Sequence, residues 1–122
     1  WAGRVERIDH KDGGYVDARR PAAAEVNEAT TIRLSCPHAG REHPVLVRQV
    51  AGLVARRIVT DLRAGQEVAA GQRIGMIKFG SRVELWVPDE LIGELTIRVG
   101  DRVRAGRTAM VRLPARPPEE PA

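Results

Sequence analysis

Few side chains in this chain could do chemistry, and the first group to consider is a thiol close to two imidazoles. Cys36 lies near His38 and His43, in a segment that also holds Pro37 and Gly40. A single thiol and two histidines in such a loop make a poor zinc site, because structural zinc takes four ligands. We therefore interpret Cys36 as a semi-buried apolar side chain, and as the lone cysteine it forms no internal disulfide.

The second group is the run MIKFGSR at residues 76–82, which contains a lysine and a serine. Biotin and lipoyl carriers use a hairpin lysine flanked by Met, Ala or Val. Lys78 lies between Ile77 and Phe79 instead, so we interpret it as a solvated strand residue. Taken alone, the pair Gly80-Ser81 is typical of a turn between two strands.

Short runs with β-type patterns must position these residues. Alternation predicts three strands, at Gly3–Ile8, Thr30–Leu34 and Pro44–Val50. In the third of these, Val45, Val47 and Gln49 share one face. We predict a loop at Cys36–His43. The segment Ala51–Val59 fits either a short helix or a bent strand.

The most informative internal feature is a repeat with a shift of 35 residues. LRAGQEVAAGQRI at residues 62–74 aligns with IRVGDRVRAGRTA at residues 97–109. Both copies carry the pattern Gly-x-x-Val-x-Ala-Gly, which predicts two β-turns around a very short strand whose valine points into the core. Such units recur in the barrel-sandwich folds of biotinyl and lipoyl carrier domains. We therefore predict a mainly β, barrel-sandwich-like domain with two pseudo-repeated turn units.

The composition excludes several classes of protein. Hydrophobic residues make up 43% and charged residues 30% of the chain, which is a globular rather than a disordered balance. No apolar run approaches the roughly 20 residues that a membrane-spanning helix needs. Lys and Arg total 20 against 16 Asp and Glu, so a basic surface favours anionic partners such as phosphates, nucleic acid or acidic lipid headgroups.

Four stretches carry a resemblance to a known family. They are AGRV at residues 2–5, the pair Asn27-Glu28, VRQVAGLVARRIV at residues 47–59, and FGSR at residues 79–82. In this order they resemble the bacterial phosphatidylserine decarboxylases of the short type, and the resemblance runs over most of residues 2–113. A Gly-Ser pair alone would be a weak motif, whereas the long ordered block followed by FGSR is specific.

The resemblance implies that Ser81 is the precursor of a covalent pyruvoyl cofactor. In such enzymes the serine hydroxyl attacks the preceding carbonyl, here that of Gly80, and the chain is cut between residues 80 and 81. The pyruvoyl group then forms a Schiff base with the amine of phosphatidylserine and withdraws electrons as carbon dioxide leaves, which yields phosphatidylethanolamine. No metal is implied. Arg56, Arg57 and Phe79 are candidate contacts for the lipid.

In the family, an Asp and a His activate the serine, and both belong to a region before the AGRV segment. None of His10, His38 and His43 falls at a matching position. We therefore interpret residues 1–113 as a single catalytic domain whose N-terminal part is missing, and residues 114–122 as a disordered Pro-rich tail.

The resemblance also implies partners and a location. The expected partners are phosphatidylserine, an anionic membrane surface and the missing N-terminal part of the same chain, with a homo-oligomer allowed and no nucleic acid. The expected location is the cytoplasmic side of the bacterial cell membrane, as a peripheral protein.

Three alternatives stay open at this point. The repeat alone also fits a non-enzymatic barrel-sandwich carrier or adaptor module. The chain could equally be an inactive fragment of the decarboxylase. The third alternative is an arginine-rich nucleic-acid binder, although aromatic residues, on which unpaired bases stack, make up only 3% of the chain.

Overall fold

The computed structural model describes residues 2–14, 19, 21, 27–52, 58–60, 62–70, 72, 76–77, 81–104 and 108–114. Over these ranges the fold is mainly β, as the sequence predicts. A single 3₁₀ turn within them, Asp89–Leu91, interrupts the strands. The strands are β1 (Gly3–Lys11), β2 (Ala29–His38), β3 (Arg41–Val50), β4 (Ile58–Val59), β5 (Glu67–Val68), β6 (Met76–Ile77), β7 (Arg82–Trp86), β8 (Glu94–Leu95) and β9 (Val111–Arg112).

Five of these strands form one antiparallel sheet in the order β5-β1-β2-β3-β7, which curls into a half-barrel. The pairs β4-β6 and β8-β9 form two small sheets beside it. A β-bulge at Glu6 shifts the register of β1 against β2. Because the bulge adds one residue, Val5 and Ile8 face the same side of the sheet although three positions separate them.

The core lies on one face of the large sheet, which we call the inner face. Side chains cross it in rows from strand to strand, and one such row consists of Val5, Leu34 and Val45. Ile32, in the next row, is fully buried, and Val68 and Leu91 belong to the same cluster. Removing each such side chain from water contributes about 1.5–3 kcal/mol, so this face holds the sheet in its curled form.

The segment Cys36–His43 is not a loop, so that prediction was wrong. Strands β2 and β3 continue through it, and only Ala39 and Gly40 form the turn. Both turn residues have positive φ, 52° and 75°, as in a two-residue type I′ hairpin. The twist of such a turn matches that of the strands, which can therefore pair up to the turn itself. Pro37 lies at an exposed position of β2, so its presence does not end the strand.

The two repeat units share the same turn. Gly65 and Gly100 have φ values of 88° and 97°, a region that favours glycine. The backbone N–H groups of Gln66 and Asp101 each donate to the carbonyl three residues earlier, at 3.1 and 3.0 Å. Their side chains accept a hydrogen bond from the backbone N–H of that same earlier residue, at 3.2 and 2.9 Å. The predicted pseudo-symmetry is therefore present in the local backbone.

The two units differ in the burial of their valines. Val68 lies in β5, pairs with β1 through its backbone and is 5% exposed. Val103 lies outside the strands of the described chain and is 54% exposed. The prediction that both valines point into the core is right for Val68 and wrong for Val103, because no strand among the described residues carries the second unit onto the sheet.

Strand β1 begins where it approaches β2 too closely for a side chain. A Cβ atom added at Gly3 would lie 2.8 Å from the carbonyl oxygen of Ser35 and 2.9 Å from Sγ of Cys36. The first of these atoms belongs to the backbone of a paired strand and cannot swing aside. Only glycine, which has no side chain, therefore fits at position 3.

Two predicted segments are described only in part. Ile58–Val59 form β4, whereas residues 53–57 lie outside the described ranges, so the choice between helix and strand for Ala51–Val59 is open there. Leu113 packs against the core, and the carbonyl of Pro114 accepts a hydrogen bond from Nε2 of His38 at 3.0 Å. Residues 115–122 are not described, so the disordered tail stays a prediction. The ranges given above include no helix with the length and apolarity that crossing a bilayer requires.

Candidate functional site

Ser81 lies directly before β7, at one end of the large sheet, and is half-buried. The next residue, Arg82, pairs with Val50 at the end of β3, and Val50 pairs with Ala29 at the start of β2. Ser81 is therefore at the end of the sheet where β1 and β3 finish and where β2 and β7 begin. We call this the Ser81 end.

At the Ser81 end the inner face changes from apolar to polar. The outermost row on this face consists of His10 on β1, Thr30 on β2, Gln49 on β3 and Val83 on β7. Residues directly opposite on antiparallel strands point to the same side of the sheet, with Cβ atoms about 5 Å apart. We call the first three residues of this row the polar row, and it ends beside Val83, two residues after Ser81.

Gln49 is a buried member of the polar row. Its side chain is 5% exposed, and its Oε1 atom has no hydrogen-bond partner among the residues that the structure describes. A buried acceptor without a donor costs about 1–3 kcal/mol, so proteins seldom leave one without a reason. The atom is therefore a candidate acceptor for a donor group such as an amine.

His10 connects a carboxylate to a hydroxyl group. Its Nδ1 atom lies 2.8 Å from Oγ1 of Thr30, and its Nε2 atom lies 3.1 Å from Oε1 of Glu28. An ionised carboxylate can only accept, so Nε2 donates to Glu28 and Nδ1 of the neutral ring accepts from the Thr30 hydroxyl. This order of groups activates nucleophiles in hydrolases. Thr30 is only 3% exposed, however, so its hydroxyl group is not placed to attack a substrate. We infer that these three side chains hold one another in position.

The same histidine takes part in a cluster of metal-ligating side chains. The ligand atoms of His10, Asp12 and Glu28 lie within 4.8 Å of one another. Exposed acidic groups of this kind are common without an ion, and the hydrogen bonds above already account for His10 and Glu28. We derive no metal site from this cluster.

Asn27 fixes the backbone that follows β3. Its side chain is fully buried, and its Nδ2 atom donates to the carbonyl of Ala51 at 2.7 Å. The N–H of Ala51 donates in turn to the carbonyl of Glu28 at 2.9 Å. Because Ala51 follows the β3 residue that pairs with Arg82, these bonds hold the strand next to Ser81. Both members of the Asn27-Glu28 motif thus act at the Ser81 end, one on the backbone and one on His10.

Of the residues predicted for the site, the structure describes Ser81. Gly80, Phe79, Arg56 and Arg57 lie outside the described ranges, so their roles stay predictions. Lys78, interpreted as a solvated residue, also lies outside them.

Cys36 lies far from the Ser81 end, within the core of the sheet. It is 2% exposed, and burial raises the pKa of its thiol, with a smaller contribution from the Glu42 carboxylate in the same direction. A buried thiol of raised pKa forms little of the reactive thiolate. This agrees with the interpretation of Cys36 as an apolar side chain, although it is fully buried rather than semi-buried.

Reasoning from the sequence missed the polar row. His10 comes shortly before a Gly-Gly turn and has the pattern of an exposed surface residue, and its side chain is indeed 45% exposed, so nothing in the sequence pointed to its hydrogen bonds. The one available signal was alternation along β3, which put Gln49 on the same face as Val45 and Val47. A glutamine on a face that is otherwise apolar is unusual, because buried polar groups need partners.

Several known proteins similar to this chain share one description. The family model described as phosphatidylserine decarboxylase matches residues 1–111. The chain is 42% identical to a phosphatidylserine decarboxylase proenzyme of Salinibacter ruber, over 92% of this chain and 47% of that protein. It is 40% identical to the corresponding proenzyme of Solibacter usitatus, over 91% of this chain and 52% of that protein.

A third relative carries the same name. The chain is 41% identical to a phosphatidylserine decarboxylase proenzyme of Mycobacterium marinum, over 93% of this chain and 45% of that protein. The chain thus spans about half the length of the curated relatives it matches. No solved structure matches the chain.

Proposed function

This chain belongs to the phosphatidylserine decarboxylase family, and from that premise we propose that the protein containing it converts phosphatidylserine to phosphatidylethanolamine and carbon dioxide. The residue that becomes the pyruvoyl cofactor is Ser81, after cleavage of the chain between Gly80 and Ser81. The observation that carries the proposal is the position of Ser81 beside the polar row, whose members Thr30 and Gln49 are buried at the end of a largely apolar face. The relatives' names describe proenzymes, which supports processing of a precursor.

The proposed processing uses atoms of the chain and one water molecule. The Ser81 hydroxyl attacks the carbonyl carbon of Gly80, and the amide becomes an ester as the Ser81 nitrogen leaves with a proton. Loss of the Ser81 Cα proton breaks the ester, which releases the Gly80 carboxylate and leaves dehydroalanine at position 81. Water then replaces the nitrogen, which departs as ammonia, and a ketone remains. Gly80 suits the first step because it has no side chain to obstruct the attack.

The ketone supplies an electron sink for the electrons released when the carboxylate leaves as carbon dioxide. The residues at the Ser81 end fit such a group and its amine substrate. Gln49 offers a buried acceptor that no described residue satisfies, and an amine is a donor that would satisfy it. Thr30 lies opposite Gln49, and the bond between His10 and Thr30 keeps that hydroxyl turned toward β1. The Gln49 oxygen therefore remains available to accept a hydrogen bond from the substrate.

The groups that activate Ser81 are proposed to come from the part of the relatives that this chain does not cover. The three histidines of this chain have other partners: His10 contacts Glu28 and Thr30, His38 contacts Pro114, and His43 contacts Glu90. The remaining part of the protein would supply an Asp and a His for self-cleavage. With the phospholipid as substrate, the protein is proposed to act as a peripheral protein at the cytoplasmic face of the membrane.

The test uses the full-length protein, intact mass spectrometry and release of carbon dioxide from phosphatidylserine labelled in the serine carboxyl group. We expect two chains, the smaller beginning at position 81 with a pyruvoyl group. Ser81→Ala should give one uncut chain and no release of carbon dioxide. The matched control is Ser35→Ala, whose hydroxyl donates to Glu42 away from the Ser81 end, and it should be cut and active. Full activity of Ser81→Ala would overturn the proposal.

A finer test addresses the acceptor in the polar row. Gln49→Leu keeps the size of the side chain but removes the acceptor, so kcat/KM should fall about tenfold while the chain is still cut at 80–81. Thr31→Val changes a residue on the opposite face of the neighbouring strand and should keep kcat/KM. Equal losses in the two variants would argue against a role of Gln49 in substrate binding.

A further inference from the structure

An apolar groove lies where β7 ends and approaches β9. Leu85 and Val87 form one wall, and Met110, Val111 and Leu113 form the other. The cavity volume is about 360 Å³, within the range of small-molecule sites, and the groove is open on one side. Leu85 is 42% exposed, which is unusual for a leucine on the core side of a sheet.

The groove is connected to Ser81 by an apolar stripe on β7. Val83 and Leu85 both point to the inner face, because they pair with Gln49 and Val47, respectively. Val83 is 58% exposed. From Ser81 an apolar track therefore runs along the inner face of one strand, past the end of the polar row, and into the groove.

The spacing along this track fits a phospholipid. Ser81 and Leu85 are four residues apart, which corresponds to about 13 Å at the rise of an extended strand. In a phospholipid with a serine headgroup, nine bonds separate the amine nitrogen from the carbonyl carbon of the acyl chain on the middle glycerol carbon. At the reach of an extended chain these bonds span about 11 Å. A lipid whose amine is at Ser81 would thus begin its hydrocarbon chain close to the groove.

We infer that the groove between β7 and β9 is the subsite for one acyl chain of the phospholipid substrate. This inference rests on the proposed function and adds to it the residues that hold the hydrocarbon part of the lipid. Leu85 is the central residue, because it belongs both to the stripe and to the groove. The neighbouring Trp86 pairs with Leu46 on the opposite face and lines another cavity, with Thr31 and Arg48, so it does not belong to the subsite.

The experiment compares two substrates of the full-length, processed enzyme: dioleoyl-phosphatidylserine in detergent micelles and glycerophosphoserine, which has no acyl chains. Leu85→Asp puts a charge into the groove and should lower kcat/KM for the diacyl lipid about ten- to hundredfold. Its kcat/KM for glycerophosphoserine should stay within about twofold of the wild type, and Leu85→Met should restore turnover of the diacyl lipid. The matched control is Val99→Asp, at a fully exposed valine that lies outside the groove; it should leave the turnover of both substrates unchanged.

If Leu85→Asp lowered kcat/KM equally for the two substrates, the inference would be overturned, since an equal loss would indicate damage to the fold or to packing of the rest of the protein. A second measurement does not depend on turnover. Phosphatidylserine with a photoreactive diazirine in its acyl chain should label the peptide that contains residues 108–113 in the wild type, and the label should be lost in Leu85→Asp. Absence of the label from this peptide in the wild type would overturn the subsite even if decarboxylation is observed. A wild type that is labelled there but releases no carbon dioxide would instead refute the proposed function.

Discussion

The turn around Gly65 and the turn around Gly100 have the same backbone and the same capping bonds, but only the first belongs to the core. In the first unit, β5 brings Val68 against β1 and leaves it 5% exposed. In the second unit, Val103 is 54% exposed. The short pattern Gly-x-x-Val therefore encodes the shape of a turn, whereas burial of the valine depends on whether a neighbouring strand is available to pair with it.

The largest expected difference between the two units is in how much their valines contribute to the free energy of unfolding. Val68→Ala should lower the free energy of unfolding of the full-length protein by about 1–3 kcal/mol, because it removes buried methyl groups and leaves a cavity. Val103→Ala should change it by less than about 0.5 kcal/mol, since the side chain is mostly exposed. Chemical denaturation of the two variants checks this. Equal losses would show that Val103 is buried in the complete protein.

The glycines should behave alike in the two units. Gly65→Ala and Gly100→Ala should each cost about 1–2 kcal/mol, the strain of a side chain in the left-handed region. An added Cβ atom meets nothing within 4 Å at either position, so no clash contributes and the costs should be equal. Asn tolerates positive φ better than Ala does, so Gly65→Asn and Gly100→Asn should lose less stability in thermal unfolding. A much larger loss at one glycine would mean that its unit contacts parts of the protein beyond this chain.

The smallest effect should come from the side chains that cap the turns. Gln66→Ala and Asp101→Ala each remove an acceptor for a backbone N–H, and we expect a loss of about 0.5–1 kcal/mol in each variant by denaturant titration. Asp101→Asn keeps an acceptor oxygen and serves as the control, with a smaller loss. If both alanine variants were as stable as the wild type, the capping bonds would have no part in specifying the repeat.

The three longest strands, β1, β2 and β3, could be predicted in part from the sequence, because alternation reports burial on one face. Thr30–Leu34 and Pro44–Val50 lie within β2 and β3. The hairpin between them could not be predicted in the same way. Pro37 and Gly40 are typical of loops, but Pro37 lies at an exposed position of β2 and only Ala39 and Gly40 are needed for the turn. Residue type alone did not reveal how short that connection is.

The polar row could not be predicted, because its alignment depends on one irregularity. Strict alternation from Val5 would put residues 7 and 9 on the inner face, whereas the bulge at Glu6 puts Ile8 and His10 there. Only the paired register of three strands shows that His10, Thr30 and Gln49 lie in one row. The prediction for Ser81, by contrast, came from the resemblance of residues 47–59 and 79–82 to a known family, and such a resemblance needs no knowledge of strand pairing.

Gly3 has a consequence for how this protein can vary. Since any Cβ atom at that position would clash with the backbone of Ser35, we expect that no other amino acid is tolerated there. In a saturation library selected for folding, position 3 should return glycine almost exclusively, while the exposed neighbour Arg4 accepts many replacements. The start of the AGRV segment would then be retained for steric fit, independently of any part in chemistry.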